Sequence, residues 1–286
     1  MGLTINTNIA SLIAQYNLNK NTQALNKTTE QLASGKRINH SSDDAAGLSI
    51  SEKLRSQIRG IKKAGENAQD GVNLLQVAEG GISIILENLQ RIRELTVQAA
   101  NDSNSSAERE SIRIEVELRI KDIDRIKKAT NFNQIALLEG SVSSYTLRIG
   151  PGSNLVTNTL DISSALQDIV STFMNFYATA SAISSAYLNG TSARQFLDRI
   201  DSALAKVLTQ RSKLGALQNR LEGTVNNLEV FSENLTAAES RIRNVDIAEA
   251  TAELTRNQIL QQASVSILAQ ANQTPSLAVD LLQQSG

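Results

Sequence analysis

Few residues of this chain combine a reactive side chain with a spacing that could support catalysis or metal binding. His40 is the one histidine, and it lies in a turn rich in serine and aspartate, whereas a zinc-protease motif needs two histidines. The nearby Asp43 and Asp44 could bind a hard cation. No loop of spaced carboxylates follows them, so capping of the next helix is the favoured interpretation.

Other common reactive groups are also missing. The chain contains no cysteine, which removes thiolate nucleophiles and cysteine–zinc sites. Gly80 and Gly81 lie within helical periodicity and not between a strand and a helix, so they do not form a phosphate-binding loop. We therefore expect no enzymatic activity, no bound metal and no cofactor.

The composition favours a helical protein. The 286 residues include 28 basic and 29 acidic side chains, and a net charge of −1 gives no electrostatic case for binding nucleic acid. Only two prolines occur, so nearly all of the chain is free to be helical. The N-terminus lacks the pattern of a secretory signal. Residues 169–188 are uncharged, but polar residues interrupt them too often for a membrane span.

A seven-residue repeat predicts one long helix over residues 194–246, on the order of 80 Å in length. A second seam three residues further on is mostly apolar, but Gln210 and Thr224 interrupt it. A strict repeat of this kind is typical of helices that supercoil around partners. The first seam consists of Ile200, Val207, Leu214, Leu221, Leu228, Leu235 and Ile242, and the second contains Ala203, Leu217, Phe231, Ala238 and Val245.

The rest of the chain is predicted to be helical, apart from one hairpin. Two extended pieces, 143–149 and 155–162, flank a turn around Pro151 and predict a β-hairpin at about 141–162. The other predicted helices span residues 1–34, 44–100, 107–129, 163–188 and 247–286.

The two chain ends share an unusual property, because both are helix-patterned and almost uncharged. No charged side chain precedes Lys20, and from Asn257 onward the only charge is Asp280. A solvated helix normally carries charge on its polar face. We therefore expect the ends to bury against other copies of the chain. The apolar stripes expected to form this polymerisation core are Ile5, Ile9, Leu12 and Tyr16 near the start and Leu260, Ala263, Ile267 and Ala271 near the end.

Several long segments resemble bacterial flagellin. The N-terminal matches are INTNIASLIAQYNLNK, LASGKRINHSSDDAAGLSISEKL, NAQDGVNLLQVAEG and LQRIRELTVQAAN. The C-terminal match runs from LGALQNRLEGTVNNLEVFSENL to ILQQASVSILAQANQ. The matches cover roughly residues 1–140 and 195–275 in the correct order, which is far more specific than a single short motif.

The resemblance implies a mainly α fold with paired N- and C-terminal helices, a long antiparallel helical bundle or coiled-coil rod and one small β-hairpin. It implies an inner filament-core domain, residues 1–43 plus 246–286, and an outer-core rod domain, residues 44–245. This would be a minimal two-domain flagellin. Its implied function is that of a structural subunit that assembles into the helical filament used for swimming.

The resemblance also implies partners. Flagellins polymerise with copies of themselves and are exported through the flagellar type III apparatus without a cleaved signal, which places them outside the cell. An export chaperone binds the C-terminal helix, here 247–286, and filament cap and hook–filament junction proteins contact the polymer. Toll-like receptor 5 recognises flagellins, and the family's receptor contacts match Arg91, Leu95 and Glu115 of this chain.

Two alternatives remain at this point. A hook–filament junction protein of the same family has similar ends but would not polymerise extensively, and the segments SDDAAGL and ILQQASVSILAQANQ favour flagellin over it. A membrane-active amphipathic protein would normally carry lysine or arginine on the polar face of its terminal helices, and these helices do not.

Overall fold

The computed structural model describes residues 8–139, 145–163, 166 and 190–284. The predicted mainly helical fold with paired N- and C-terminal helices is confirmed. The predicted helix over 163–188 lies outside the described residues, except for Ser163 and Leu166. The helices are α1 (Ile9–Ser34), α2 (Ala45–Ala99), α3 (Ser106–Ala129), the short α4 (Leu155–Asn158), α5 (Gly190–Arg243) and α6 (Ile247–Gln284).

The chain divides into two compact units. The terminal unit lies within residues 1–56 and 234–286, and the central unit lies within residues 57–233. Each unit has its own principal contact. In the terminal unit α1 packs on α6, and in the central unit α2, α3 and α5 share one apolar core.

The core of the central unit consists almost entirely of aliphatic side chains. Leu75, Ile85 and Ile92 of α2 are fully buried, as is Val116 of α3. Two surface ion pairs link α2 and α5, which run antiparallel: Arg93 Nε lies 2.6 Å from Asp201 Oδ1, and Arg211 Nε lies 3.2 Å from Glu79 Oε1. The α5 residues in this core include Ile200, Ala203, Val207, Leu214 and Leu221.

The heptad repeat predicts only part of the burial observed along α5. The first four positions of the first seam, Ile200 to Leu221, are buried, and Leu228, Leu235 and Ile242 are half-buried. In the second seam, Gln210 is buried at 7% exposure while Phe231 is 51% exposed. The side-chain oxygen of Gln210 has no hydrogen-bond partner within the part of the chain that the structure describes. Burial in α5 therefore follows the neighbouring helices more closely than residue polarity.

The predicted hairpin pairs β3 (Thr146–Arg148) with β4 (Thr159–Asp161) in antiparallel register. The expected extended piece begins later than predicted, because residues 155–158 form the helical turn α4. Asn158 stabilises this turn by donating its backbone N–H to the Asn154 carbonyl at 3.2 Å and accepting the Gly152 amide at 3.2 Å. The hairpin packs on α2 beside Gly71, where a β-carbon would collide with Leu147. Glycine at this position permits the close approach.

A second antiparallel pair was not expected from the sequence. It joins β1 (Asn131–Phe132) to β2 (Ile135–Ala136). The two residues between them, Asn133 and Gln134, have positive φ angles of 49° and 66°. Two-residue hairpins need this backbone, but their usual sequence signal is Asn-Gly, which is missing here.

Candidate functional site at the paired terminal helices

The ends of α1 and α6 are fixed by short-range caps. The side-chain oxygen of Asn8 accepts the Ser11 amide at 3.0 Å where α1 begins. Gly35 ends α1 in the left-handed conformation, with φ 68°. At the start of α6 the carboxylate of Asp246 accepts the Ala248 amide at 2.8 Å. The caps define which residues each helix can bring to the contact between them.

The contact between α1 and α6 is an antiparallel coiled-coil seam, with inward positions spaced alternately three and four residues apart. The side chains at these positions are buried or half-buried. Many are small or polar, unlike the leucine-rich seam of a typical coiled coil. The seam consists of Ser11, Ala14, Leu18, Asn21, Leu25, Thr28 and Leu32 on α1 and of Ala250, Leu254, Asn257, Gln261, Ser264, Leu268 and Ala271 on α6.

Hydrogen bonds between side chains cross the middle of this seam. Asn21 Nδ2 donates to Ser264 Oγ at 2.9 Å. Asn257 Nδ2 donates to Thr28 Oγ1 at 3.3 Å. Thr28, Asn257 and Ser264 are 3%, 8% and 8% exposed, so these polar groups satisfy one another away from water.

Further polar contacts lie within the centre of the seam and towards the chain ends. Gln261 Nε2 donates to Thr22 Oγ1 at 3.3 Å. Towards the chain ends, Asn8 Nδ2 donates to the Ala271 carbonyl at 2.8 Å, and Ser11 Oγ donates to Asn272 Oδ1 at 2.7 Å. Uncharged hydrogen bonds between residues far apart in sequence therefore join the two helices along the seam, beside its leucine and alanine side chains.

Apart from the leucines of the seam, both helices carry large apolar residues at exposed positions outside it. On α1 they lie at spacings of three and four residues, which places them on the side of the helix opposite α6. We call this set the outward apolar residues. They are Ile9, Leu12, Ile13 and Tyr16 on α1 and Ile259, Leu260, Val265 and Ile267 on α6, with exposed fractions between 43% and 69%.

The structure places the predicted polymerisation stripes as follows. Ile9, Leu12 and Tyr16 are all outward apolar residues, as are Leu260 and Ile267. Ala263 is also exposed, whereas Ala271 lies in the seam at 8% exposure. Ile5 lies outside the described residues. The stripe on α1 and the seam on α1 are thus two separate faces of one helix.

Two extended segments join the terminal helices to α2 and α5. Lys36 and Asn244 form an antiparallel β-bridge. The Arg37 amide donates to the Arg243 carbonyl at 2.7 Å, and the Val245 amide donates to the Gly35 carbonyl at 3.1 Å. This bridge fixes the points from which α1 and α6 begin to pair.

Arg243 also anchors the bridge to α2. Its side chain is 10% exposed and forms an ion pair with Glu52 at 2.5 Å. The Arg243 guanidinium, and then Arg55, holds the pKa of Glu52 below its usual value. The bridge is therefore connected to α2 by a charge-assisted contact.

The residues that could have supported chemistry stabilise the turn before α2. Asp44 accepts the Gly47 amide at 2.8 Å and so caps the helix, as the capping interpretation predicts. Asp43 lies 2.8 Å from Lys27, and this contact lowers the pKa of Asp43 to about 2. His40 Nε2 lies 2.8 Å from Glu30. Among the described residues no group of three His, Cys, Asp or Glu side chains is placed to hold a metal ion.

The three predicted receptor contacts lie in the central unit but are not equally accessible. Arg91 of α2 and Glu115 of α3 are partly exposed and form an ion pair at 3.2 Å. Glu94 lies 3.0 Å from the same arginine, and both carboxylates raise the pKa of Arg91, Glu94 most. Leu95 is only 2% exposed and belongs to the apolar core. The structure brings Arg91 and Glu115 together on the surface and places Leu95 beneath them.

Comparison with known proteins identifies the family to which this chain belongs. A model of the bacterial flagellin N-terminal helical region matches residues 5–143, and a model of the bacterial flagellin C-terminal helical region matches residues 197–282. The chain is 42% identical to a flagellin of Halalkalibacterium halodurans, covering 98% of this chain and 100% of that protein. This chain belongs to the bacterial flagellin family. It is also 41% identical to a flagellin of Bacillus subtilis, again covering 98% of this chain and 100% of the relative.

Flagellins are structural proteins that form the extracellular filament of the bacterial flagellum, and this flagellin is a structural subunit of that filament. A relative described as the flagellar filament 33 kDa core protein of Treponema phagedenis is 39% identical over 98% of this chain and 100% of its own length. A solved structure assigned as a flagellar hook-associated protein of Vibrio parahaemolyticus has a TM-score of 0.54 at 15% identity, covering 71% of this chain and 100% of that chain. This last similarity shows the fold alone.

Among the described helices of this flagellin, none is both long enough and apolar enough to cross a bilayer.

Proposed function

We propose that this flagellin polymerises by burying its outward apolar residues against neighbouring copies. The observation that supports this is the exposure, between 43% and 69%, of large apolar side chains that lie before Lys20 and after Asn257, where the only charged residue is Asp280. Burying one leucine or isoleucine fully is worth about 1.5–3 kcal/mol, so several such contacts per copy suffice for association. Contacts of this kind that repeat without closing yield an open helical polymer.

The proposal assigns the filament core to residues 1–43 and 246–286 and the outer part of the filament to residues 44–245. The contact between α1 and α6 supports this assignment, because it gathers the uncharged ends of the chain into one unit. The charged side chains of α2, α3 and α5 belong on the solvated outside.

Seeded growth tests this proposal. Purified subunit added to short filament seeds should produce long regular filaments in negative-stain electron micrographs. A chain that ends at residue 246 lacks α6 and should not elongate the same seeds, because half of the outward apolar residues are gone. Circular dichroism of the shortened chain should retain the helical signal of α2, α3 and α5.

Two outcomes would count against the proposal. Normal filaments from the shortened chain would show that α6 is dispensable. A folded full-length chain that forms only short caps on the seeds would instead indicate a hook–filament junction protein.

The helix α6 also supports a proposal about export and chaperone binding. We propose that the flagellar export chaperone binds α6, whose Ile259, Val265 and Ile267 are exposed before polymerisation. We also propose that the chain leaves the cell without a cleaved signal and meets filament cap and junction proteins at the filament ends. In a pull-down assay the full chain should capture the chaperone, and the chain ending at residue 246 should not.

Recognition by Toll-like receptor 5 is proposed at the surface formed by Arg91 and Glu115. Their exposed ion pair offers both a cationic and an anionic group within one small area. Leu95 would contribute beneath the surface by holding α2 against α3. All three residues stay predictions as receptor contacts.

Replacing Arg91 with alanine should weaken receptor activation by the monomer at least about tenfold, because a charge-assisted hydrogen bond is worth about 1.5–3 kcal/mol. The measurement is a dose–response curve in reporter cells that express the receptor. Arg93 is the matched control, since its side chain is 46% exposed like that of Arg91 and pairs with Asp201. Equal losses for Arg91→Ala and Arg93→Ala would contradict the assignment.

A further inference from the structure

We propose that the hydrogen-bonded seam between α1 and α6 sets the register in which the two helices pair, and that Asn21, Thr28, Asn257 and Ser264 are its determining residues. This inference rests on the proposed mode of polymerisation. It assigns to these polar residues a positioning role, whereas the outward apolar residues supply the contacts between copies.

The order of residues along the seam supports this role. Thr28 lies opposite Asn257, and Asn21 lies opposite Ser264, as their hydrogen bonds show. These two polar layers flank a layer that contains Leu25. In an antiparallel pair the same register places Leu18 level with Leu268, Leu32 level with Leu254 and Ala14 level with Ala271. Two polar layers, two leucine layers and one alanine layer are therefore matched, and in the central layer Leu25 lies level with Gln261, whose amide donates to Thr22.

A slip of one heptad would break this matching in either direction. In one direction Asn21 would lie level with Ala271, and in the other Thr28 would lie level with Ala250. Alanine offers no side-chain partner, so a buried amide or hydroxyl would lose its hydrogen bond without regaining water. A seam of leucines alone would repack after the same slip, because its layers are interchangeable.

Register matters because the surface offered to neighbours is composite. Ile9, Leu12 and Tyr16 belong to α1, whereas Ile259 and Ile267 belong to α6. A slip of one heptad displaces one helix along the other by about 10 Å. Copies paired in different registers would present different arrangements of the same apolar side chains, and a regular filament needs one arrangement.

The absence of cysteine allows register to be measured directly. Leu18→Cys with Leu268→Cys reports the register seen here, and Leu25→Cys with Leu268→Cys reports a slip of one heptad. A disulfide forms only when the two Cα atoms lie about 4.4–6.8 Å apart. In filaments grown from an otherwise unchanged full-length chain the first pair should oxidise at least tenfold more completely than the second.

The test replaces the polar layers with apolar ones through Asn21→Leu, Thr28→Val, Asn257→Leu and Ser264→Ala. This fourfold variant should remain helical but form both disulfides to within about threefold, and its filaments on seeds should grow at least tenfold more slowly. If this variant lost helicity, Thr28→Val with Asn257→Leu would replace it. The loss of disulfide selectivity and the slowing of filament growth should then be in the same direction but smaller. Selective formation of the first disulfide together with unchanged growth would overturn the inference.

A reciprocal exchange provides the matched control. Asn21→Ser with Ser264→Asn keeps one amide and one hydroxyl in the same layer, so selectivity between the two disulfides should survive. Loss of selectivity in this control would show that hydrogen bonding in the layer does not set register. The disulfides are measured in grown filaments, so failure of the unchanged chain to elongate seeds would overturn the proposed polymerisation, whereas loss of selectivity in filaments that this chain does grow would overturn the inference alone.

Discussion

Replacing Leu12 and Ile259 with aspartate is expected to stop filament growth while the subunit stays folded. Both side chains point away from the seam, with 57% and 61% of their surface exposed, so neither supports the pairing of α1 with α6. In the filament each aspartate would place an unpaired carboxylate in an uncharged contact, which costs several kcal/mol. Since about 1.4 kcal/mol is a factor of ten, elongation of seeds should fall by more than about 100-fold.

The measurement is the length of filaments on seeds after a fixed time, with circular dichroism of the soluble variant to confirm its helical content. Leu12→Met with Ile259→Leu is the control, because it keeps both apolar areas and nearly the same volume. The control should elongate seeds at close to the normal rate. Normal growth of the doubly charged variant would show that these side chains face solvent in the filament.

Replacing Leu214 with alanine is expected to destabilise the central unit by about 2–5 kcal/mol. Leu214 is fully buried in the core shared by α2, α3 and α5, so its removal leaves a cavity among rigid aliphatic neighbours. Urea unfolding followed by circular dichroism should show a midpoint well below that of the unchanged chain, with a similar slope.

Leu208 gives the control for this prediction, because it lies on the same helix but is 51% exposed. Leu208→Ala should change the free energy of unfolding by less than about 1 kcal/mol. Equal losses for the two variants would mean that the helical propensity of α5 limits stability and the packing of its buried seam does not.

Helix positions were predictable because local signals define them. The heptad repeat, the glycine at the end of α1 and the aspartates before α2 predict boundaries within a few residues of those observed. The turn β1–β2 was missed because Asn133 and Gln134 carry no strong hairpin signal. The sequence pattern predicts residues 155–158 as extended, whereas side-chain and backbone contacts of Asn158 stabilise a helical turn there.

The candidate site was predictable only in part. Apolar periodicity revealed the stripe of Ile9, Leu12 and Tyr16, but it could not show that α1 pairs through its opposite face. Apolar periodicity does not reveal the seam, because the polar residues Asn21 and Thr28 lie in it. Its signal is the spacing of three and four residues shared by small, polar and leucine side chains. Likewise, the burial of Leu95 beneath Arg91 depends on how α2 packs against its neighbours, which the sequence of α2 alone does not show.

The bridge between Lys36 and Asn244 has a consequence for the kinetics of folding. The contacts of α1 with α6 join residues up to 263 positions apart, and closing a loop of that size costs about 5 kcal/mol of chain entropy. Once the bridge has formed, most of this loss of chain entropy has already occurred. The helices α1 and α6 can then pair from the bridge outward, as the two arms of a hairpin do. We therefore expect the extreme ends of the chain to be the last segments to order as each subunit folds.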